Sequence, residues 1–132
     1  MDLLGKWEVI KVLKNFDENL KPIYQSKEEA LQTDEFKDEQ SITFITSIYE
    51  LKEDCINIIT KIRNEKMRED AIKQGLTFLD DDTVITQTLG AEIEDGIYYF
   101  YELSDPDNKS PMPVLEDGTI SFMIMLVLKK IA

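Results

Sequence analysis

The chain has 132 residues and no histidine, and its 27 acidic against 15 basic residues give a formal net charge of −12. This charge repels a nucleic-acid backbone and anionic lipid, so we expect neither a nucleic-acid nor a membrane partner. The length suits one domain over residues 1–132, and a hydrophobic fraction of 42% is typical of a folded chain rather than a disordered one.

The cysteine content and the N-terminal segment both bear on the compartment. Cys55 is the single cysteine, which excludes an internal disulfide and favours a reducing compartment. Residues 1–7 lack a basic stretch followed by an apolar run, so they predict no signal peptide. The longest strongly apolar stretch, residues 120–128, is too short for a membrane-spanning helix. We therefore expect a cytoplasmic protein.

The first predicted elements are two strands. Residues 6–13 alternate loosely between apolar and polar side chains, which is typical of a strand. Turn formers follow at 15–19, and residues 20–25 predict a short returning strand. Pro22 confines that strand to a sheet edge, because proline donates no backbone hydrogen bond.

A helix and a long strand are predicted next. Ser26 and Glu29 match a capping box, which indicates a helix of about ten residues that ends near Asp38 and acts as a lid or plug. Residues 41–51 are dense in β-branched and aromatic side chains that alternate, and they predict one long strand.

A tight turn that contains Cys55 then leads into a strand over 56–62, so that the two strands form a hairpin. Asn64 is placed to cap a second short helix over 65–74. Gly75 is placed to end that helix in the left-handed conformation that glycine adopts without strain.

The second half of the chain carries hairpin signals. Asp95 and Gly96 lie between a strand over 83–93 and a strand over 97–103, and Asp-Gly is typical of a two-residue hairpin turn. Residues 104–113 contain three of the four prolines and predict a loop at the barrel mouth.

The last predicted strand, over residues 119–131, follows a second Asp-Gly turn and is apolar on both faces. The even-numbered side chains are assigned to the interior: Ile120, Phe122, Ile124, Leu126 and Leu128. The other face carries Met123, Met125 and Val127, and we expect a helix, the 104–113 loop or the second subunit of a homodimer to cover it.

Together these elements predict an all-β, mainly antiparallel fold. The expected architecture is a closed or nearly closed barrel of about eight strands with two short helices. The alternative is an open sheet backed by helices, which the short and scattered helices disfavour.

Several segments resemble known families. The stretch Leu4-Gly5-Lys6-Trp7 resembles the Gly-x-Trp opening of lipocalins and fatty-acid-binding proteins. The helix near Glu28, the hairpin 49–55, the segment 71–75 and the last strand are similar to a group of small lipocalin-like (calycin superfamily) bacterial proteins. The resemblance covers nearly the whole chain. It implies a calycin barrel with an interior cavity, and the group supplies no activity to transfer.

The same resemblance assigns a role to Trp7 and disfavours one class of ligand. In lipocalins the equivalent tryptophan plugs the closed end of the barrel, so Trp7 is assigned to barrel closure. Fatty-acid-binding proteins, which this chain resembles in length, hold the ligand carboxylate with an Arg-x-Tyr pair on the last strand. Leu126 and Leu128 stand at the matching positions, so a free fatty acid is disfavoured as a ligand.

The candidate cavity residues come from three strands. The run 98–101 places aromatic rings on both faces of one strand, and either pair completes a core or orients a polar ligand group. The residues assigned to the cavity are Phe44, Ile48, Tyr99, Tyr101, Phe122, Ile124 and Leu126.

No residues predict catalysis, a metal site or a cofactor. Residues 80–82 are three aspartates, but they lack the spacing, glycine and terminal glutamate of a calcium loop. Cys55 has no histidine to act as its base. We therefore expect a non-enzymatic binder of a small apolar or weakly polar molecule inside the barrel. The alternative is a protein-interaction module with a filled barrel, acting through its acidic surface or a dimer face.

Overall fold

The computed structural model describes residues 3–132. Met1 and Asp2, part of the segment in which no signal peptide is predicted, lie outside the described residues. The described chain is mainly antiparallel β with three short helices, which confirms the predicted class and adds one helix. The strands are β1 (Gly5–Phe16), β2 (Pro22–Ser26), β3 (Ile48–Leu51), β4 (Cys55–Lys61), β5 (Thr77–Phe78), β6 (Thr83–Glu94), β7 (Ile97–Tyr101), β8 (Ser110–Pro111), β9 (Ile120–Phe122) and β10 (Leu126–Lys130). The helices are α1 (Lys27–Ala30), α2 (Glu39–Thr46) and α3 (Glu65–Lys73), with a 3₁₀ turn at Asp34–Phe36.

Eight of these strands form one path in the order β8-β7-β6-β4-β3-β1-β10-β9, while β2 pairs with β1 and β5 pairs with β6. The sheet curls into a half-barrel, and the predicted closed barrel is wrong. The outermost strands, β8 and β9, have two and three residues, which is too short to form a closing ladder. An isolated bridge from Val114 to Ile120 lies between the segment after β8 and β9.

The first strand carries a β-bulge that decides which side chains it buries. Its pairing with β10 shifts register between Val9 and Lys11. Trp7, Val9 and Val12 therefore all face the core, although strict alternation puts Val12 on the other side from Trp7 and Val9. As predicted, residues 22–26 return antiparallel to this strand.

The predicted long strand over 41–51 is wrong in its first half, where the chain forms α2, and only its second half forms β3. Asp38 begins the helix, because its Oδ1 accepts a hydrogen bond from the backbone N–H of Ser41 at 2.8 Å. Ile45 is fully buried on the side of α2 that meets the main core. A cap and one buried side of the helix thus override the β-propensity of this segment.

The capping box of the first helix is present, with Ser26 and Glu29 bonded to each other's backbone N–H. The helix is nevertheless four residues long rather than about ten. Just after its end the Thr33 hydroxyl donates to the Ala30 carbonyl at 2.7 Å, and the chain then continues into the 3₁₀ turn.

The predicted last strand is split in two. Met123 and Ile124 adopt left-handed backbone angles, with φ of 56° and 65°, and fold residues 119–131 into a β9–β10 hairpin in which Leu126 pairs with Phe122. Ile124 is therefore 55% exposed rather than inside the sheet. The other four side chains assigned to the interior, Ile120, Phe122, Leu126 and Leu128, are buried, and so is Val127, for which the sequence predicts an outward position.

The concave face of the sheet is filled by side chains. Phe122 lies at the centre of this core, stacked on Phe100 with ring centroids 4.7 Å apart and tilted against Tyr49 at 5.4 Å. A second, smaller cluster of Ile62, Ala71 and Val84 packs under α3.

Candidate functional site

The interior of the half-barrel holds a cavity of about 160 Å³, far smaller than a typical ligand pocket. It is lined by Phe44, Ile58, Gln87, Leu89, Phe100, Glu102, Phe122 and Met123. Two of the predicted cavity residues, Phe44 and Phe122, therefore meet at this cavity. Leu126 is fully buried in the core and is not among the residues that line it.

The other predicted cavity residues lie elsewhere. Ile48 is half-buried on β3, and the inward positions of that strand are Tyr49 and Leu51. On β7 the buried pair is Tyr98 and Phe100, so the assignment of Tyr99 and Tyr101 to the interior has the faces of this strand reversed.

Buried Tyr98 is satisfied because its hydroxyl donates to the Lys52 carbonyl at 2.6 Å, in the turn between β3 and β4. Tyr101 lies opposite Gly90 on β6, and its ring covers that glycine closely. These two contacts fix which face of β7 is buried.

Trp7 is a core residue near the start of β1. It is 1% exposed, and its indole N–H donates to the Leu3 carbonyl at 2.9 Å. The half-barrel around it is open, so Trp7 packs against the sheet rather than closing a barrel.

A larger cleft of about 500 Å³ lies between α2 and α3, with β6 as its floor. Its volume is within the range of small-molecule sites. The lining residues are Glu39, Gln40, Thr43, Asn64, Lys66, Met67, Asp70, Ala71, Gln74, Leu76, Val84 and Thr86. The floor is apolar or hydroxylic, and the charged and amide groups stand at the rim.

The wall formed by α3 follows from local sequence signals that the structure confirms. The Asn64 side chain accepts a hydrogen bond from the Met67 N–H at 2.9 Å and begins the helix. Gly75 follows its end with φ of 70°, as predicted. Ala71 is buried against Val84, which presses the middle of this helix onto β6.

A polar clasp, formed by Arg63, Asn64, Glu39 and Thr43, ties α2 to the chain just before α3. The Arg63 guanidinium donates to Glu39 Oε2 at 2.5 Å and to Thr43 Oγ1 at 2.8 Å. The Asn64 amide donates to Glu39 Oε1 at 3.1 Å. The hydrogen bond from Arg63 lowers the pKa of the Glu39 carboxyl, which favours the ionised form. Both oxygens of this rim group accept hydrogen bonds from within the protein.

Two rim charges of α3 remain available to a ligand. Among residues 3–132, neither the Asp70 carboxylate nor the Lys66 ammonium forms an ion pair within 4 Å or a side-chain hydrogen bond. They stand on one helix four residues apart. The rim therefore offers an acceptor and a donor above an apolar floor, an arrangement suited to a molecule with an apolar body and polar substituents.

The sequence does not predict this cleft, because most of one wall, α2, carries the alternating β-branched pattern of a strand. The spacing of Asp38 and Ser41 is a capping signal that was available. The contact between α2 and the start of α3 has no such local signal, because it depends on Arg63 and Asn64, which lie in the loop that follows β4.

Among residues 3–132, no group of three or more acidic, cysteine or histidine side chains is arranged to hold a metal ion. The aspartates 80–82 form a turn in which Asp80 Oδ1 accepts from the Asp82 N–H at 2.8 Å. In the described part of the chain no helix is long and apolar enough to span a bilayer.

Comparison with family models, curated proteins and solved structures found no match to this chain.

Proposed function

We propose that the protein binds a small, weakly polar molecule in the cleft between α2 and α3. The observation that carries the proposal is the cleft itself, about 500 Å³ of space over an apolar floor with hydrogen-bonding groups at its rim. The site differs from the barrel interior predicted from the sequence. The interior cavity of about 160 Å³ is below the roughly 300–1,000 Å³ of typical small-molecule sites.

The proposal is for binding rather than catalysis. The chain contains no histidine, the usual general base near neutral pH. Burial and the neighbouring Asp54 raise the pKa of the Cys55 thiol, which makes it a weaker nucleophile at that pH.

Native mass spectrometry of protein purified from cells tests the proposal, with the same sample denatured as reference. We expect a mass excess that disappears on denaturation. Two matched substitutions locate the site, because Gln40 stands at the rim of the cleft and Gln87 lines the interior cavity, and both side chains are exposed. Gln40→Trp should abolish the bound mass by filling the cleft, and Gln87→Trp should leave it unchanged.

The opposite pattern, loss with Gln87→Trp and retention with Gln40→Trp, would place the ligand in the interior. A bare wild-type protein that takes up nothing from a panel of lipids and metabolites would contradict binding in either place.

A second candidate function, a protein-interaction module, is favoured by the β9–β10 turn. Its three consecutive apolar residues Met123, Ile124 and Met125 are 45%, 55% and 45% exposed. Exposed apolar groups of this kind occur at interfaces. The homodimer predicted through this face would use these three residues, and not the buried Val127.

Sedimentation equilibrium tests this candidate. A dimer that dissociates when Met123→Ser and Met125→Ser are combined would support it, with Ile97→Ser, another exposed apolar position, as the control. A wild-type monomer at every concentration would reject the homodimer.

The lipocalin-like assignment and the cytoplasmic location are part of the proposal. The first is supported by Gly5 and Trp7 at the start of a curled antiparallel sheet, and the second by the lone cysteine. The net charge of −12 supports the absence of a nucleic-acid partner.

A further inference from the structure

Three hydroxyl groups form a chain across the concave face of the sheet, from the end of α2 to the floor of the cleft. Ser47 Oγ lies 2.8 Å from Thr60 Oγ1, which in turn lies 2.9 Å from Thr86 Oγ1. Ser47 and Thr60 are buried, whereas Thr86 is half-buried and lines the cleft. Thr86 is therefore the end of this hydroxyl chain that reaches the proposed site.

A β-bulge explains the position of Thr86. In the pairing of β4 with β6, Ile58 is opposite Gln87 and Ile59 is opposite Ile85, so Thr86 is the extra residue between them. Bulges of this kind redirect a side chain out of the regular alternation of a strand.

Two backbone carbonyls also contact this chain of hydroxyls. Ser47 Oγ donates to the Thr43 carbonyl at 2.6 Å, and Thr86 Oγ1 lies 3.2 Å from the Ile58 carbonyl. The three hydroxyls supply three protons in total. Each of the four contacts needs one proton to be a hydrogen bond, so at least one of them has none.

Whichever of the four contacts lacks a proton, the Thr86 hydroxyl still donates to a group of the protein. If the longest contact, to the Ile58 carbonyl, is empty, the Thr86 proton goes to Thr60. If any of the other three is empty, the Thr86 proton goes to the Ile58 carbonyl instead. In each arrangement that fills three of the four contacts, the proton of Thr86 is used within the protein, and its oxygen retains a lone pair.

We infer that the ligand carries a hydrogen-bond donor, a hydroxyl or an amine on an apolar body, which Thr86 Oγ1 accepts at the floor of the cleft. This inference rests on the proposed function and specifies its ligand class. At the rim, the Asp70 carboxylate is a second acceptor for such a donor, and the Lys66 ammonium is a donor for an acceptor elsewhere on the molecule. A carboxylate ligand would place its own lone pairs against the lone pair of Thr86 and is disfavoured.

Matched probes test the inference on the full chain, with binding followed through the backbone amide signals of the cleft residues in a two-dimensional NMR spectrum. The probes are phenylbutanol, its methyl ether, phenylbutylamine and phenylbutyrate, which share one apolar body. The ether accepts hydrogen bonds but donates none. We expect the alcohol and the amine to bind about 3- to 10-fold more tightly than the ether, as one hydrogen bond allows.

Two substitutions at one position complete the test. Thr86→Val is close to isosteric and should bring the affinities of the alcohol and the ether together, whereas Thr86→Ser should keep them apart. If Thr86→Val fails to fold, the ratio of alcohol to ether affinity in the wild-type protein still decides.

The outcomes separate the two proposals. If the ether binds as tightly as the alcohol, or phenylbutyrate binds most tightly, the donor inference fails while binding in the cleft stands. If no probe shifts the cleft signals, both proposals fail.

Discussion

Gly90 and Tyr101 face each other on β6 and β7, and their contact leaves no room for a larger residue at position 90. A Cβ atom at Gly90 would lie 2.1 Å from Tyr101 Cε2, far inside van der Waals contact. We expect Gly90→Ala to lower the free energy of unfolding by about 1–3 kcal/mol, because the tyrosine ring must leave its position. Urea denaturation measures this change.

The control is a double-mutant cycle with Tyr101→Ala. Removal of the ring should make Gly90→Ala nearly neutral, because the added methyl group then has space. An equal cost in both backgrounds would mean that the ring is not the cause.

Cys55, the first residue of β4, is half-buried next to Asp54. Burial and then the Asp54 carboxylate raise the pKa of its thiol, because both disfavour the thiolate. The rate of reaction with a thiol reagent should therefore rise with pH around a midpoint above the value of about 8.5 for a free cysteine. Stopped-flow absorbance with an aromatic disulfide measures this profile.

Asp54→Asn removes the neighbouring negative charge, the largest of these causes after burial, and should move the midpoint down toward the ordinary value. The same protein in urea should react as free cysteine does. If the pH midpoint of the reaction rate is lower in the native protein than in urea, the fold favours the Cys55 thiolate, which contradicts this prediction.

At the scale of elements, α2 is where sequence and structure differ most. Thr46 is the last residue of this helix and is exposed. Thr46→Ala should raise the free energy of unfolding by about 0.3–0.5 kcal/mol, because alanine has the higher helix propensity. In a strand the same change would lower it. Exposed Thr77 in β5 is the matched position, where Thr77→Ala should be destabilising.

The elements that the sequence predicts well are those with a local signal in the chain. Asn64 and Gly75 bound α3, and Asp95 and Gly96 both take positive φ in the β6–β7 turn. Each of these residues fixes the backbone by its own chemistry, so a neighbouring strand or helix is not needed to identify it.

The elements that it misses depend on distant contacts. Met123 and Ile124 form a left-handed turn although neither is a turn former, and this turn lies against β1 and β2. There Met125 accepts at its carbonyl from the Leu13 N–H at 2.8 Å, and the Tyr24 hydroxyl donates to the Ile124 carbonyl at 2.7 Å. These bonds join residues that are far apart in the sequence, so no local pattern predicts them.

The sequence does not predict the candidate site, for the same reason, and none of the predicted cavity residues lines the cleft. Phe44 and Phe122 do meet at a cavity, but it is the smaller one. The larger cleft requires α2, and the donor-selective oxygen of Thr86 requires a bulge that shows no signature in the sequence around it.

At the scale of the whole molecule, negative charge dominates. The net charge is −12, and the ion pairs among residues 3–132 are mostly exposed, with Arg63 to Glu39 as one of the shortest. Exposed pairs stabilise little, whereas repulsion among surplus carboxylates destabilises the folded state. We therefore expect the melting temperature at neutral pH to rise with sodium chloride concentration, as the Debye length falls from roughly 30 Å to below about 10 Å.

Calorimetry at a series of salt concentrations measures this effect. The control is the same series near the isoelectric point, where the net charge is small and the gain should disappear. A melting temperature that falls with salt at neutral pH would mean that the surface ion pairs outweigh the repulsion.

An open half-barrel leaves free strand edges, and the length of those strands bears on whether other chains can add to them. The main path ends at β8, a two-residue strand that contains Pro111, and at β9, which has three residues and is bridged to Val114. The two strands that branch from the path are also edges, and of these β5 has two residues and β2 begins with Pro22. A proline offers no N–H, and such short strands expose few unpaired backbone groups for an incoming strand. The sheet is thus guarded against fibril-like growth without the closure that a barrel would provide.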